Sequence, residues 1–590
     1  MKLPDIVTEN LSSSAIENIN QWLNEPKYSE YKSELEALIA DQNWKYLEDA
    51  FFKVIEFGTG GRRGTTGLGS NRVNRVTIGE SAQALCEYAI EADPQAANKG
   101  VVIAYDTRLS SPELSKYAAQ VCAANGFKTY LFDSFRATPE LSFAVRHLQA
   151  AIGIVISASH NPPADNGFKA YWSDGGQLVS PHDKGVLAKA SEVKQIKNGD
   201  YDEFINQGRI VLIGRDVDHD YIAAAAAQSE GKKRNLNIVY SPLHGAGQTN
   251  VLPVLQAAGF EDISLVEAQM TPDGSFPTVK DGKPNPEEKA ANDLAVTQLM
   301  AEEADIAITN DPDADRIGVI VRANDRPVYL SGNQSAVLAT DYALQKKQQA
   351  GRLTKTHYIA KTIVTTDMLS ALAQSYRVKL YGDMLVGFKY IGELILSKED
   401  SDETFVIGAE ESYGLLKGDY ARDKDGATGA LALAEYAAEL KSEGKNLYGR
   451  LLELYAEHGL YVERLDTVVS PGADGFERMQ QIMHNLRTSP PSEVGEYKVT
   501  AISDYASLIK TQLTTVESEV INCKSGDVVA LEFGDSRRRI TVRPSGTEPK
   551  LKFYIQWYSD VDESDVEKQY ERLNESLKSL SKELESILIK

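Results

Sequence analysis

The residues most able to do chemistry cluster in two short stretches. In TNDPDADRIGV, Asp311, Asp313 and Asp315 alternate between two strand-like runs, ADIAITN and IGVIVRA. Three hard oxygen ligands in so few residues suit Mg²⁺ or another oxygen-loving cation, and not zinc. An EF-hand loop is excluded: Arg316 stands where its sixth position needs Gly, Arg322 where its twelfth needs Glu, and the flanks read as strands. The bland alternative is a solvated acidic turn. In AAIGIVISASHNPPADNGFKAY, an apolar strand from Ala151 to Ile156 runs directly into Ser157, Ala158, Ser159, His160, Asn161, Pro162 and Pro163. The prolines stop the strand and force a tight loop. Ligands gather beyond the carboxyl ends of strands in α/β sheets, so Ser159 would present its hydroxyl where a nucleophile is useful. Otherwise the loop is a turn whose hydroxyls satisfy the backbone.

Three weaker signals accompany these. EFGTGGRRGTTGLGSNRVN surrounds Arg62 and Arg63 with glycines. It fits neither nucleotide loop, because G-x-G-x-x-G breaks at Arg63 and no Gly-Lys-Ser/Thr follows, which leaves a backbone cradle for an anion or a flexible loop. ITVRPSGTEPKLKFY puts Arg543, Ser545, Gly546, Thr547 and Lys550 in one turn between strands. A guanidinium fork, two hydroxyls and the N–H groups at a glycine suit phosphate capture, against an ordinary hairpin loop. GAEESYG places Glu410, Glu411 and Ser412 after the strand-like TFVIGA, where carboxylates could grip sugar hydroxyls. Val386-Gly387-Phe388-Lys389 and Arg422-Asp423-Lys424-Asp425 add cations nearby in the chain.

The elements that must position these residues follow from the pattern of the chain. Short β-branched runs alternate with longer helical stretches: GVVIAYDTR before SPELSKYAAQVCAANG, NLNIVYSPLHGAG before QTNVLPVLQAAG, THYIAKTIVTTD before MLSALAQSY. That alternation predicts βα units and three α/β domains with mainly parallel sheets. The last part instead reads as strands (LYVERLDTVVS, DVVALEFGD, RRRITVRPSG, LKFYIQWYS) followed by a helical pattern over 563–589, a smaller α+β domain. Polar residues with helically spaced Ile16, Ile19, Trp22 and Leu23 predict a helical lead-in over 12–50. The boundaries expected are 1–215, 216–325, 326–459 and 460–590.

The chain has 590 residues, which implies several domains, and 42% hydrophobic with 25% charged residues is the make-up of a folded globular protein. A net charge of −22 argues against nucleic acid or an anionic membrane as partner. Three distant cysteines with no C-x-x-C pair exclude a thiolate metal site and read as reduced and buried. The first residues carry no apolar signal core and no apolar run could span a bilayer, so a cytoplasmic enzyme is expected.

With all five segments in view, the chain resembles the α-D-phosphohexomutase superfamily from about Phe57 to Tyr558, and within it the bacterial α-phosphoglucomutases. SASHNP is similar to the phosphoserine loop, DPDADR to the metal loop, GFK and EES to the sugar loops, and RPSGTEPK to the phosphate loop. The resemblance implies four domains around one cleft and a phosphosugar substrate. It implies a phosphoryl group passing between Ser159 and the O1 and O6 of a hexose, with glucose 1,6-bisphosphate as intermediate and activator. Mg²⁺ would bind Asp311, Asp313, Asp315 and an oxygen of the serine phosphate. Arg63 and Arg316 would offset charge, and Lys169 or Lys424 would take the hydroxyl proton if its pKa is lowered. His160 would support the serine loop. Gly387, Lys389, Glu410 and Ser412 would hold the sugar, and Arg543, Ser545, Gly546 and Thr547 the phosphate that is not reacting. Ser412 favours a hexose over a pentose. Val386, where a Thr is common, bears on specificity, and phosphomannomutase, phosphopentomutase and metal-dependent sugar phosphatase are the alternatives. Nothing in the sequence distinguishes a monomer from a dimer.

Overall fold

The computed structural model describes residues 5–56, 61–469, 475–545, 550–562 and 565–588. Three α/β units follow one another, each built on its own sheet. The first holds β1 (Gly61–Thr65), β2 (Val101–Tyr105), β3 (Thr129–Phe132), β4 (Ile152–Ile156), β5 (Asp165–Trp172) and β6 (Ile210–Ile213) in the order β1-β5-β4-β2-β3-β6. The second holds β7 (Ile238–Ser241), β8 (Ile263–Leu265), β9 (Ile306–Asn310), β10 (Ile317–Ala323) and β11 (Arg326–Leu330) in the order β11-β10-β9-β7-β8. The third holds β12 (His357–Lys361), β13 (Lys379–Tyr381), β14 (Thr404–Ala409) and β15 (Leu415–Lys417) in the order β13-β12-β14-β15.

One arrangement recurs in all three. A parallel trio is formed by β4, β2 and β3, by β9, β7 and β8, and by β14, β12 and β13. The outer strand of each trio then reverses into an antiparallel neighbour, with Ile156 opposite Phe168, Asn310 opposite Ile317, and Ala409 opposite Leu415. Each reversal is one of the loops singled out in the sequence. The strands that lead into them are apolar because they are buried on both faces: every residue of IGIVI and of IAITN is buried.

The fourth unit is a seven-stranded sheet, antiparallel throughout, with the helix Val566–Leu588 packed on it. Its strands Asp535–Pro544 and Lys550–Ser559 form the hairpin that carries Arg543 and Ser545, while Gly546 and Thr547 lie outside the described residues. Ala501–Asp504, Ile509–Gln512 and Ser518–Val520 add strands the sequence reading did not foresee. Bidentate Arg539 on Asp367, with bonds at 2.7 and 3.1 Å, and Lys361 at 3.0 Å from the same carboxylate tie this unit to the third. Against the cost of burial, these two cations hold the Asp367 carboxyl down to about 2.

The lead-in is helical over Ser13–Asn24, Lys32–Ala40 and Trp44–Phe51, and Trp22, Tyr28, Leu47 and Phe51 form a core of their own with Leu68 and Val76. It is stitched to the turn after β1. Tyr46 donates its hydroxyl to Leu68 O at 2.9 Å, Asn71 N–H binds Ala50 O at 2.9 Å, and Lys27 reaches Glu80 at 3.0 Å, the same carboxylate that pairs with Arg62. Part of the glycine-rich stretch, read as an anion cradle or a flexible loop, is an edge strand, β1, paired antiparallel with β5. Of the cysteines, Cys86 and Cys122 are buried as expected, but Cys523 is only half-buried. No helix among the described residues is long and apolar enough to cross a membrane.

Candidate active site

The loops that follow β4, β9 and β14 bring Ser159, the three aspartates and Glu410 into one buried neighbourhood. Ser159 adopts a left-handed backbone (φ 52°), strained for a side chain with a Cβ and so imposed by its surroundings. Its N–H is caught by Ser157 Oγ at 2.8 Å. Its hydroxyl donates to Asp311 Oδ2 at 2.5 Å and lies 3.2 Å from His160 Nδ1.

Asp311, Asp313 and Asp315 are buried, with one carboxylate oxygen of each within 4.8 Å of the others. At that separation each pair of charges repels by about 3.5 kcal/mol even at an effective dielectric constant of about 20, so the cluster needs positive charge. Some comes from the protein. Lys169 Nζ sits 2.5 Å from Asp313 Oδ2 and 3.6 Å from Asp315 Oδ2, and Lys424 Nζ 2.9 Å from Asp315 Oδ2, while the neutral backbone N–H of Arg316 donates to Asp311 Oδ1 at 3.1 Å. Thr138 Oγ1 at 2.8 Å and Ser157 Oγ at 3.2 Å also donate to Asp313 Oδ2. That is not enough: Asp313 Oδ1 and Asp315 Oδ1 are buried with no hydrogen-bond partner. Burial and its two carboxylate neighbours push the Asp311 carboxyl well above its usual range. Against burial, Lys169 holds Asp313 well below. Convergent, orphaned, all-oxygen donors fit a hard divalent cation.

The surrounding cations divide by environment. Arg63, on β1 opposite Gly167, reaches Asn161 Oδ1 at 3.4 Å, and burial lowers its pKa. Burial, then Arg316 and Arg63, keep the His160 imidazole well below its ordinary pKa and hence neutral, which suits a supporting role. Burial works against the Lys424 ammonium, but Asp315, Asp423 and Glu410 outweigh it and raise its pKa. Its own partner Asp423 is gripped by Tyr171 OH and Gln177 Nε2, each at 2.8 Å. Gly414 permits the close approach: a Cβ there would lie 2.3 Å from Lys424 Cδ and 2.8 Å from Glu410 Oε1.

On the third unit, Glu410 is buried and Ser412 half-buried, and burial together with Glu410 pushes the Glu411 carboxyl up to about 7. Arg543 and Lys552, from the fourth unit, temper that shift, so the hairpin faces this loop. Lys389 is buried, opening the helix Lys389–Ser397, with Nζ 3.5 Å from Asp183 Oδ2 of the first unit. Gly387 has φ 125° with open space where a side chain would stand. Arg108 and Thr138 escaped the sequence reading: Arg108 binds the serine loop and Thr138 the Asp313 carboxylate, while Asp425 caps the helix Gly426–Ser442 and accepts a bond from Tyr221 OH at 2.7 Å. The signal for Arg108 was available, since Asp106-Thr107-Arg108 follows an apolar strand at its carboxyl end.

Three family models cover the three α/β units: phosphoglucomutase/phosphomannomutase α/β/α domain I over residues 54–197, domain II over 219–324 and domain III over 331–457. A phosphoglucomutase of Staphylococcus haemolyticus is 34% identical over 87% of this chain and 92% of that protein. The chain belongs to the phosphoglucomutase/phosphomannomutase family. A phosphoglucomutase of Staphylococcus aureus is 35% identical over 86% of this chain and 90% of its own length. Two crystal structures share the fold. A phosphoglucomutase/phosphomannomutase family protein of Burkholderia thailandensis has TM-score 0.62, 18% identity and coverage of 88% of this chain and 97% of that one. The Paramecium phosphoglucomutase parafusin, in an open form, has TM-score 0.64, 16% identity and coverage of 90% and 95%. The expected architecture of three α/β domains and a C-terminal α+β domain is the one observed, and the α-D-phosphohexomutase resemblance is the family found.

Proposed function

We propose that this protein is a phosphoglucomutase that interconverts glucose 1-phosphate and glucose 6-phosphate, with Ser159 as the carrier of the phosphoryl group. One observation carries the reading: a hydroxyl on a strained backbone points at a buried triad of carboxylates, Ser159 Oγ lying 2.5 Å from Asp311. The curated relatives of similar length are named phosphoglucomutase, which supports glucose as the sugar.

Asp311, Asp313 and Asp315 would hold Mg²⁺ together with an oxygen of the serine phosphate. When bound, the ion supplies charge withdrawal at the transferring phosphoryl oxygens. The chain's own residues do the rest. Arg63 and Arg316 flank the serine loop and offset the charge of the phosphoryl group. Lys169, 2.5 Å from Asp313, and Lys424, 2.9 Å from Asp315, are the lysines placed at the site to exchange a proton with the sugar hydroxyl. Glu410 and Ser412, with Lys389 and the turn at Gly387, would grip the sugar hydroxyls. Arg543 and Ser545, with Gly546 and Thr547 beside them in sequence, would grip the distal phosphate. Glucose 1,6-bisphosphate formed in the first half-reaction turns around and returns its other phosphate to Ser159.

The test is a side-by-side rate measurement with glucose 1-phosphate, mannose 1-phosphate and ribose 1-phosphate, with Mg²⁺ and catalytic bisphosphate, following inorganic phosphate in the same tubes. Glucose 1-phosphate is expected to isomerise fastest with little phosphate released. Dominant phosphate release would refute the mutase reading, and a large advantage for mannose or ribose would overturn the sugar.

A further inference from the structure

Arg108 contributes nothing to the chemistry described so far, yet it is 1% exposed and every one of its donors is used. Nε binds Asp106 Oδ2 at 3.2 Å. Nη1 donates to Pro162 O at 2.7 Å and Asp165 O at 2.9 Å, and Nη2 to Ser159 O and Asn161 O, both at 2.6 Å. Five N–H groups thus meet one carboxylate and four carbonyl oxygens, and all four carbonyls belong to the serine loop and the first residue of β5. A carbonyl direction fixes the peptide plane it belongs to, so these bonds set the backbone that turns Ser159 into its left-handed conformation. Asp106 is itself held, its Oδ1 accepting from the Arg108 N–H at 3.0 Å and from Ser111 Oγ at 2.6 Å.

The second unit seats this arginine from outside. The Phe276 ring lies 5.3 Å from the guanidinium carbon, and a Cβ on Gly274 would fall 2.5 Å from Arg108 Cα. That segment hangs on His244, whose Nδ1 lies 2.8 Å from Thr271 O and whose Nε2 lies 2.9 Å from Thr278 Oγ1. Two residues on, the Ala246 N–H binds Pro312 O of the aspartate loop at 2.8 Å. A continuous path therefore runs behind the site from the aspartate loop, through His244 and Phe276, to Arg108 and the serine loop.

We infer that Arg108 is the positioning residue of the serine loop, setting the angle at which Ser159 meets the aspartate cluster, and that Phe276 of the second unit locks it in that task. The inference rests on Ser159 being the phosphoryl carrier. Arg108 touches no substrate, so its loss acts on transfer and not on sugar binding. A lysine keeps the charge but has three donors on one nitrogen, and cannot meet four carbonyls in two directions.

The experiment compares the full-length parent, Arg108→Lys and Phe276→Ala for kcat, KM for glucose 1-phosphate, and partition of a phosphorylated enzyme between water and sugar, read as phosphate released per sugar phosphate isomerised. The partition ratio is independent of the fraction of folded protein. For Arg108→Lys, kcat falls about 100-fold with KM within about threefold, and the partition shifts toward water at least about tenfold. Phe276→Ala moves both in the same direction by about five- to tenfold, and reads the same quantity should the lysine variant not fold. A partition ratio unchanged in every variant that folds overturns the inference, as does a loss confined to KM. Failure of the underlying reading is distinguishable: the parent itself would then acquire no phosphate on Ser159, by intact mass, after incubation with glucose 1,6-bisphosphate and Mg²⁺.

Discussion

The serine loop and the aspartate loop occupy the same place in two copies of one unit, after β4 and after β9, and they are held by different groups. The serine loop is fixed by its backbone, four carbonyls gathered on one guanidinium, which leaves the Ser159 hydroxyl to a single strong acceptor. The aspartate loop has its carbonyls at Pro312, Asp313 and Ala314 bound singly by the N–H groups of Ala246, Thr138 and Gly426, and differs in its side chains, with Lys169, Lys424, Thr138 and Ser157 placed around carboxylates that keep orphaned oxygens. A loop that must deliver one atom to one place benefits from a rigid main chain. A loop that must bind an ion benefits from convergent oxygens left partly unsatisfied.

The comparison can be broken at its centre by Ser159→Ala, which should lower isomerase activity by about four orders of magnitude and abolish phosphate incorporation seen by mass spectrometry. Full activity in that variant would end the account. Asp313→Asn should cost about 100- to 1,000-fold in kcat and raise the Mg²⁺ concentration for half-maximal rate, because it removes charge where Lys169, Thr138 and Ser157 converge. Arg543→Ala tests the hairpin against both loops: KM for glucose 1-phosphate should rise about 10- to 100-fold with a smaller change in kcat, and an unchanged KM would remove the phosphate clamp. Thr138→Val is the milder probe of the aspartate loop, losing one 2.8 Å bond to Asp313 and about threefold in kcat.

The smallest effect on chemistry is expected at Asp367, which carries no site residue and holds the fourth unit to the third. Its carboxyl is held at about 2, below its ordinary value, so the stabilisation is fully present above about pH 4 and is lost as pH falls toward 2. Asp367→Asn should remove on the order of 2 kcal/mol at pH 7 and flatten the acid limb of the unfolding profile, read by circular dichroism against pH. An unaltered acid limb would show that the pair does not bear on stability.

Much of the site could be read from the chain because its pieces are local. Three alternating aspartates between strands, and a serine followed by two prolines after an apolar strand, state their own geometry within a dozen residues. The architecture was equally legible, since strands buried on both faces leave continuous apolar runs. What escaped depends on partners far apart in sequence. Arg108 finds its carbonyls more than 50 residues on. Lys424 is raised by Asp315 from another unit, which no local pattern carries. Lys389 looks like a free cation beside a glycine, and proves to lie 3.5 Å from Asp183. The strands Ile509–Gln512 and Ser518–Val520 are half-exposed to exposed and short, so they leave no apolar imprint.

The helices Ser13–Asn24, Lys32–Ala40 and Trp44–Phe51 lie outside the matched family domains, yet this segment is bolted to the turn that follows Arg63 through Tyr46, Ala50 and the Lys27–Glu80–Arg62 relay. A protease that nicked this brace, or an expression clone trimmed to begin at residue 54, would strip the cover from Leu68 and Val76 and loosen the arginine from behind. The cleft would be disarmed without a single blow landing inside it.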